Sequence, residues 1–134
     1  MDKFKAREKI KKHIRSQGKT EDFEVTHTLI YYWWNLLNYA IFDSILEYPK
    51  RVTIRNIKDQ KGACYPLKEG FVGLQMDKEF DNKEQFIEVL VHEMVHAYQW
   101  QLEGKMTHGK TFFKWKPKIT QQLRLPFGRL VEVQ

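Results

Sequence analysis

The chain has 134 residues, of which 42% are hydrophobic and 30% charged, with a net charge of +6; this suits one domain with a single core and is too short for two. Its one cysteine, Cys64, excludes an internal disulfide and a cysteine-rich zinc ribbon, and reads as a small buried or half-buried strand residue. No apolar run approaches the ~18 residues of a membrane span, and the charged first twenty residues do not resemble a signal peptide, so an intracellular protein without a membrane partner is expected.

Charge is uneven along the chain: residues 1–20 carry +6, residues 21–103 carry −6 and residues 104–130 carry +7. Residues 3–17 read as a polar helix or a flexible arm, with a thin apolar stripe of Phe4, Ile10 and Ile14 ended by Gly18. The expected division is a basic arm over 1–20 and a single domain over 21–134. From Thr26 to Leu46 the residues Leu29, Ile30, Trp33, Leu36, Leu37, Ala40, Ile41 and Ile45 recur at three- and four-residue spacing, which predicts a long core helix stopped by Tyr48-Pro49.

Three segments of strand character follow, over residues 52–57, 63–67 and 71–76, with turns at 59–62 and 68–70. They predict a small three-stranded antiparallel meander. Asp81-Asn82-Lys83-Glu84 resembles a capping box, with Asp81 as N-cap and Glu84 reaching back. An apolar helix then runs to about Glu103, with Gly104 placed to end it. A last helix is expected from near His108-Gly109 to just before Pro126, kinked or started late by Pro117.

The strongest chemical signal is His92-Glu93-Met94-Val95-His96. On a helix, two imidazoles at i and i+4 share a face and converge on one ion, while a carboxylate at i+1 is turned aside and meets water rather than the metal. A zinc ion lowers the pKa of a water it binds to about 7, and Glu93 would take its proton as a carbonyl is attacked. A third ligand is then required. Glu103 lies on the same face, but two further turns are roughly 10 Å, too far to share the ion. Gln99 and Leu102 stand where a compact metzincin spacing would need glycine and histidine. Glu132 is conceivable but lies in the last few residues. His108, just past the Gly104 turn, is the preferred third ligand.

His92-Glu93-Met94-Val95-His96 followed by His108-Gly109-Lys110-Thr111-Phe112 resembles the SprT-like metallopeptidases, which include Spartan. Asn38, Phe42 and Leu46 on the first long helix, and a three-strand meander ahead of the zinc helix, are similar too. The likeness covers about residues 25–122. It implies an α+β, zincin-like fold with two zinc-bearing helices, Zn2+ on His92, His96 and His108, catalysis by Glu93, and proteolysis of proteins attached to DNA. The family often adds a cysteine-based ribbon that binds DNA, which this chain lacks.

Lys105, Lys110, Lys114, Trp115, Lys116 and Lys118 interleave basic and aromatic side chains next to the proposed site. Single-stranded nucleic acid favours such surfaces, so single- or double-stranded DNA is a candidate partner. The alternative is that Phe112, Ile119 and Leu123 face the core and the lysines form a solvated face. His13 and His27 are expected at the surface. Glu88, one turn before His92, is expected as an exposed acid, with orientation of the His92 ring as its other possible role. Tyr31, Tyr32, Trp33, Trp34 and Tyr39 form an aromatic band expected in the core, from which one tyrosine could serve the oxyanion. The reading is a zinc endopeptidase acting on protein substrates that associate with nucleic acid. Its competitors are a zinc peptidase with no nucleic-acid role and a non-catalytic, zinc-stabilised binding module.

Overall fold

The computed structural model describes residues 2–16, 23–125 and 127. Gly18, Pro126 and Glu132, which the sequence singled out, lie outside them. Helix α1 (Lys3–Ser16) settles the choice between helix and arm over its length. Ala6 and Ile10, one turn apart on one face, are fully buried in the same core as the rest of the fold, whereas Phe4 is 68% exposed. Arg7 Nε also donates to the Ala40 carbonyl at 2.9 Å.

A two-residue strand β1 (Phe23–Glu24) precedes helix α2 (His27–Phe42). Thr26 caps α2, its hydroxyl accepting from the Leu29 N–H at 3.1 Å, which satisfies one of the orphan donors of the first turn. The helix ends at Phe42, four residues before the expected limit. Asp43 and Ser44 take left-handed backbone angles, φ 56° and 60°, and the buried Asn38 amide grips Leu46 from both sides. It donates to the Leu46 carbonyl at 2.9 Å and accepts its N–H at 3.1 Å. A turn so well hydrogen-bonded ends the helix before Tyr48-Pro49 can.

Strands β2 (Arg51–Arg55), β3 (Gly62–Pro66) and β4 (Val72–Asp77) form one sheet in the order β2-β4-β3. The expected antiparallel meander is corrected here: β4 runs antiparallel to β3 but parallel to β2, so the sheet is mixed. Burial gives the reason. All of β4 except Gln75 is buried, while β2 alternates exposed and half-buried residues, so the most apolar strand takes the centre and β2 is left at an edge. A second, two-stranded antiparallel ribbon pairs β1 with β5 (Glu79–Phe80), which the sequence did not predict.

Helix α3 (Lys83–Tyr98) is buried continuously from Phe86 to Ala97, as a helix at the centre of a fold must be. Its N-cap is Asn82, not Asp81: the Asn82 Oδ1 accepts the Gln85 N–H at 2.8 Å, and the Gln85 Oε1 accepts the Asp81 N–H at 2.8 Å. Gln85 serves where Glu84 was expected, one residue later. Gly62 lets β3 press against α3, since a Cβ there would sit 2.8 Å from Val89 Cγ1. Past Tyr98 the helix widens into a π-turn, Gln99–Glu103, closed by Gly104 at φ 70°. The single last helix becomes two, α4 (Lys110–Phe113) and α5 (Lys116–Leu123), because Pro117 sits in the first turn of a new helix, where it loses no hydrogen bond. No helix among the described residues is long and apolar enough to cross a membrane.

Candidate metal centre

Helix α3 presents His92 and His96 on one face, 2% and 8% exposed. The Gly104 turn reverses the chain, and His108 returns over them from the loop ahead of Gly109, the residue that precedes α4. Nε2 of His108 lies 3.0 Å from Nε2 of His96 and 3.4 Å from Nε2 of His92. A donor atom from each of the three residues falls within 4.8 Å of the others. His92 and His96 therefore share a helix as predicted, but the third imidazole belongs to a loop and not to a second helix.

Phe112 is the wall behind all three rings. It is fully buried, stacked on His96 with ring centres 4.9 Å apart, and edge-on to His92 at 4.8 Å and His108 at 5.1 Å. The expectation that Phe112 faces the core holds, and the core it faces is the underside of the site.

Glu93, 4% exposed, lies beside the imidazoles and against β3. Burial pushes its carboxyl up to about 8, while a hydrogen bond from the Cys64 backbone opposes that rise. Burial, with the neighbouring His96 and His108, drives His92 down to about 3. His96 is lowered too, mainly by burial, against its hydrogen bond to the Gln99 amide oxygen, which raises it. Both helix imidazoles are thus neutral at physiological pH and keep lone pairs to donate. A cleft of about 270 Å³, lined by Gln60, Gly62, Ala63, Cys64 and these residues, opens beside them.

The donor set suits a cation. Nitrogens bound at ~2.0–2.1 Å in a tetrahedral shell stand roughly 3.3–3.4 Å apart; the two separations from His108, 3.0 and 3.4 Å, are near that spacing, and the whole set lies within 4.8 Å. The three imidazoles could hold a metal ion. A profile of the SprT-like family matches residues 36–130, well over half of the chain. The chain belongs to the SprT-like family. No curated protein matched it.

Some of the other predicted residues of this SprT-like protein lie where the sequence did not put them, and some where it did. Glu88 is 1% exposed, not a surface acid. It does not hold the His92 ring by hydrogen bonding, since His92 Nδ1 is buried without such a partner among the described residues. His13 is half-buried and edge-on to Trp33 at 5.3 Å, while His27 is exposed. Trp33 and Trp34 are buried, but Tyr31 and Tyr32 are 58% and 42% exposed, and no tyrosine lines the cleft described above.

The basic-aromatic stretch divides. Trp115 is half-buried and packs on Phe42 and Tyr98, with ring centres 4.8 and 4.9 Å away. Lys118 Nζ donates to the Ile41 carbonyl at 2.8 Å, and Lys114 Nζ lies 3.4 Å from a Glu103 carboxylate oxygen. Lys105, Lys110 and Lys116 are exposed.

Sequence reasoning passed over Gln99. It is fully buried, and its Oε1 lies 2.9 Å from Nδ1 of His96. The available signal was its position three residues past a predicted ligand, which puts it on the same helix face.

Proposed function

We propose that this SprT-like protein is a zinc-dependent peptidase, with His92, His96 and His108 as zinc ligands and Glu93 as general base. The convergence of three imidazole nitrogens beside a buried carboxylate carries this reading. Zn2+ bound there would supply Lewis acidity toward the scissile carbonyl and the attacking water. Glu93 would accept the proton of that water and return it to the leaving amine, a task that suits a carboxyl whose pKa is raised toward neutrality. The cleft runs along β3, an edge of the sheet, so an extended substrate would add to that edge through its backbone. Recognition of that kind gives loose sequence preference, as in a zincin-like protease.

A nucleic-acid anchor is part of the same proposal. It is supported by the +7 charge of residues 104–130 and by exposed Lys105, Lys110 and Lys116; phosphate contacts of that kind weaken with salt. Casein cleavage by the zinc-loaded protein tests the chemistry. Glu93→Gln should abolish cleavage while zinc is retained. Cleavage that persists in that variant, or without zinc, would contradict the mechanism, and no cleavage by the wild type would leave a zinc-stabilised binding module. Single-stranded DNA binding that falls steeply with salt supports the anchor, and its absence favours a peptidase without one.

A further inference from the structure

Around the three imidazoles, one buried side chain is tied to more partners than the mechanism gives it. Gln99 opens the π-turn and is fully buried. Its Oε1 lies 2.9 Å from His96 Nδ1 and accepts the Thr107 N–H at 3.2 Å. Its Nε2 donates to the Thr107 carbonyl at 3.1 Å and to Thr111 Oγ1 at 3.0 Å.

A carboxamide has nearly the same shape either way round, but Thr107 removes the choice. Its N–H can only donate and must face the amide oxygen; its carbonyl can only accept and must face the amide nitrogen. The atom facing His96 Nδ1 is therefore an acceptor, so Nδ1 carries the ring's proton. Nε2 of His96, the atom turned toward His108, is left with its lone pair. The same amide holds both backbone groups of Thr107, the residue next to His108.

We propose that Gln99 is a positioning residue for the metal centre, one carboxamide that sets the tautomer of His96 and anchors the loop that delivers His108. The π-turn extends the pattern to its neighbours. Trp100 Nε1 donates to the Leu67 carbonyl at 3.1 Å, and the Gln101 amide pairs with both backbone groups of Glu47 at 3.0 and 3.2 Å. Three consecutive side chains pin three separate loops to the end of α3, and the first of those loops carries a ligand. A widened turn at a functional site has this consequence, because it redirects side chains that a regular helix would send elsewhere. The inference rests on the metal-site reading above and deepens it.

The test pairs two measurements on the whole chain. Nitrogen-15 NMR of the histidine rings in the zinc-free wild type should find His96 as the Nδ1–H tautomer, a result that needs no variant. Chelator competition should then show Gln99→Met, which keeps the shape and loses the hydrogen bonds, binding zinc roughly 10–100-fold more weakly, the usual cost of losing a group that orients a ligand. In that variant the His96 tautomer should become mixed while circular dichroism stays native. An Nε2–H tautomer in the wild type, or zinc affinity unchanged in a folded Gln99→Met, overturns the proposal. A wild type that takes up no zinc would instead overturn the metal-site reading, and the tautomer would still decide the role of Gln99.

Discussion

Nε2 of His96 and Nε2 of His108 lie 3.0 Å apart although eleven residues of chain lie between them. Ring nitrogens gain little from facing each other this way without something between them, and the proton of His96 is held on its far nitrogen by Gln99. A cation between them would satisfy both nitrogens, and with His92 the three residues could hold one.

His108→Ala should remove the ligand supplied by the loop and leave the α3 pair in place. Two imidazoles fill half of a tetrahedral shell, so zinc affinity should fall by at least about 100-fold, beyond the loss expected for a supporting group. His108 is exposed, so the zinc-free fold should change by less than about 0.5 kcal/mol. Metal analysis after dialysis against a chelator, alongside thermal unfolding, checks both.

Zinc-free protein should lose stability as pH rises from 6.5 to about 8. Glu93 has its carboxyl raised from 4.5 to about 8 by burial, so the folded state keeps a proton that the unfolded chain has lost. Its contribution is complete below 4.5 and disappears as pH climbs through 8. His92, lowered from 6.5 to about 3 by burial, and His96, lowered for the same first reason, act the other way. They stabilise fully above 6.5 and lose their contribution as pH falls toward the folded values. Between 6.5 and 8 the Glu93 slope should therefore be visible, at most about 1.4 kcal/mol per pH unit. Urea midpoints across that window should fall for the wild type and stay flat for Glu93→Gln.

Phe112 should couple stability to metal binding. Removing a fully buried ring in Phe112→Ala costs about 3–5 kcal/mol. Phe112→Leu keeps most of the apolar volume and should cost about 1–1.5 kcal/mol, yet it removes the flat surface on which His96 stacks at 4.9 Å. The leucine variant should fold and still hold zinc less tightly, as melting curves and chelator competition would show.

The site was more legible in the sequence than the sheet was. His92 and His96 are fixed by helical period alone, and Gly104 is a local reversal signal, so the return of His108 needed only short-range rules. Strand order depends on which apolar face competes best for the centre. Turn residues at 59–62 and 68–70 speak only for neighbours in sequence, which is why the β3–β4 hairpin was predicted and the parallel β2–β4 pairing was not. Gln99 escaped for a related reason: its partners Thr107 and Thr111 come together only after the π-turn and the Gly104 reversal have formed. The helix limit at Phe42 was hidden likewise, because Asn38 looks like any polar helix residue until Leu46 folds back onto it.

Close packing of β3 on α3 should show as a compensating pair. In Gly62→Ala the new Cβ meets Val89 Cγ1 at 2.8 Å, and overpacking of this kind costs about 1–3 kcal/mol. Val89→Ala removes the obstructing methyl group, so the double variant should be more stable than the two single losses added together. A double-mutant cycle by urea unfolding reads the coupling directly, and strict additivity would mean that the contact does not set the spacing.

X-ray absorption at the zinc edge of the loaded protein addresses the central claim most directly. Three imidazole nitrogens and one oxygen at roughly 2.0–2.1 Å are predicted. A sulfur neighbour at about 2.3 Å, which only Cys64 or a methionine could provide, or a shell with two imidazoles, would contradict the centre described for His92, His96 and His108.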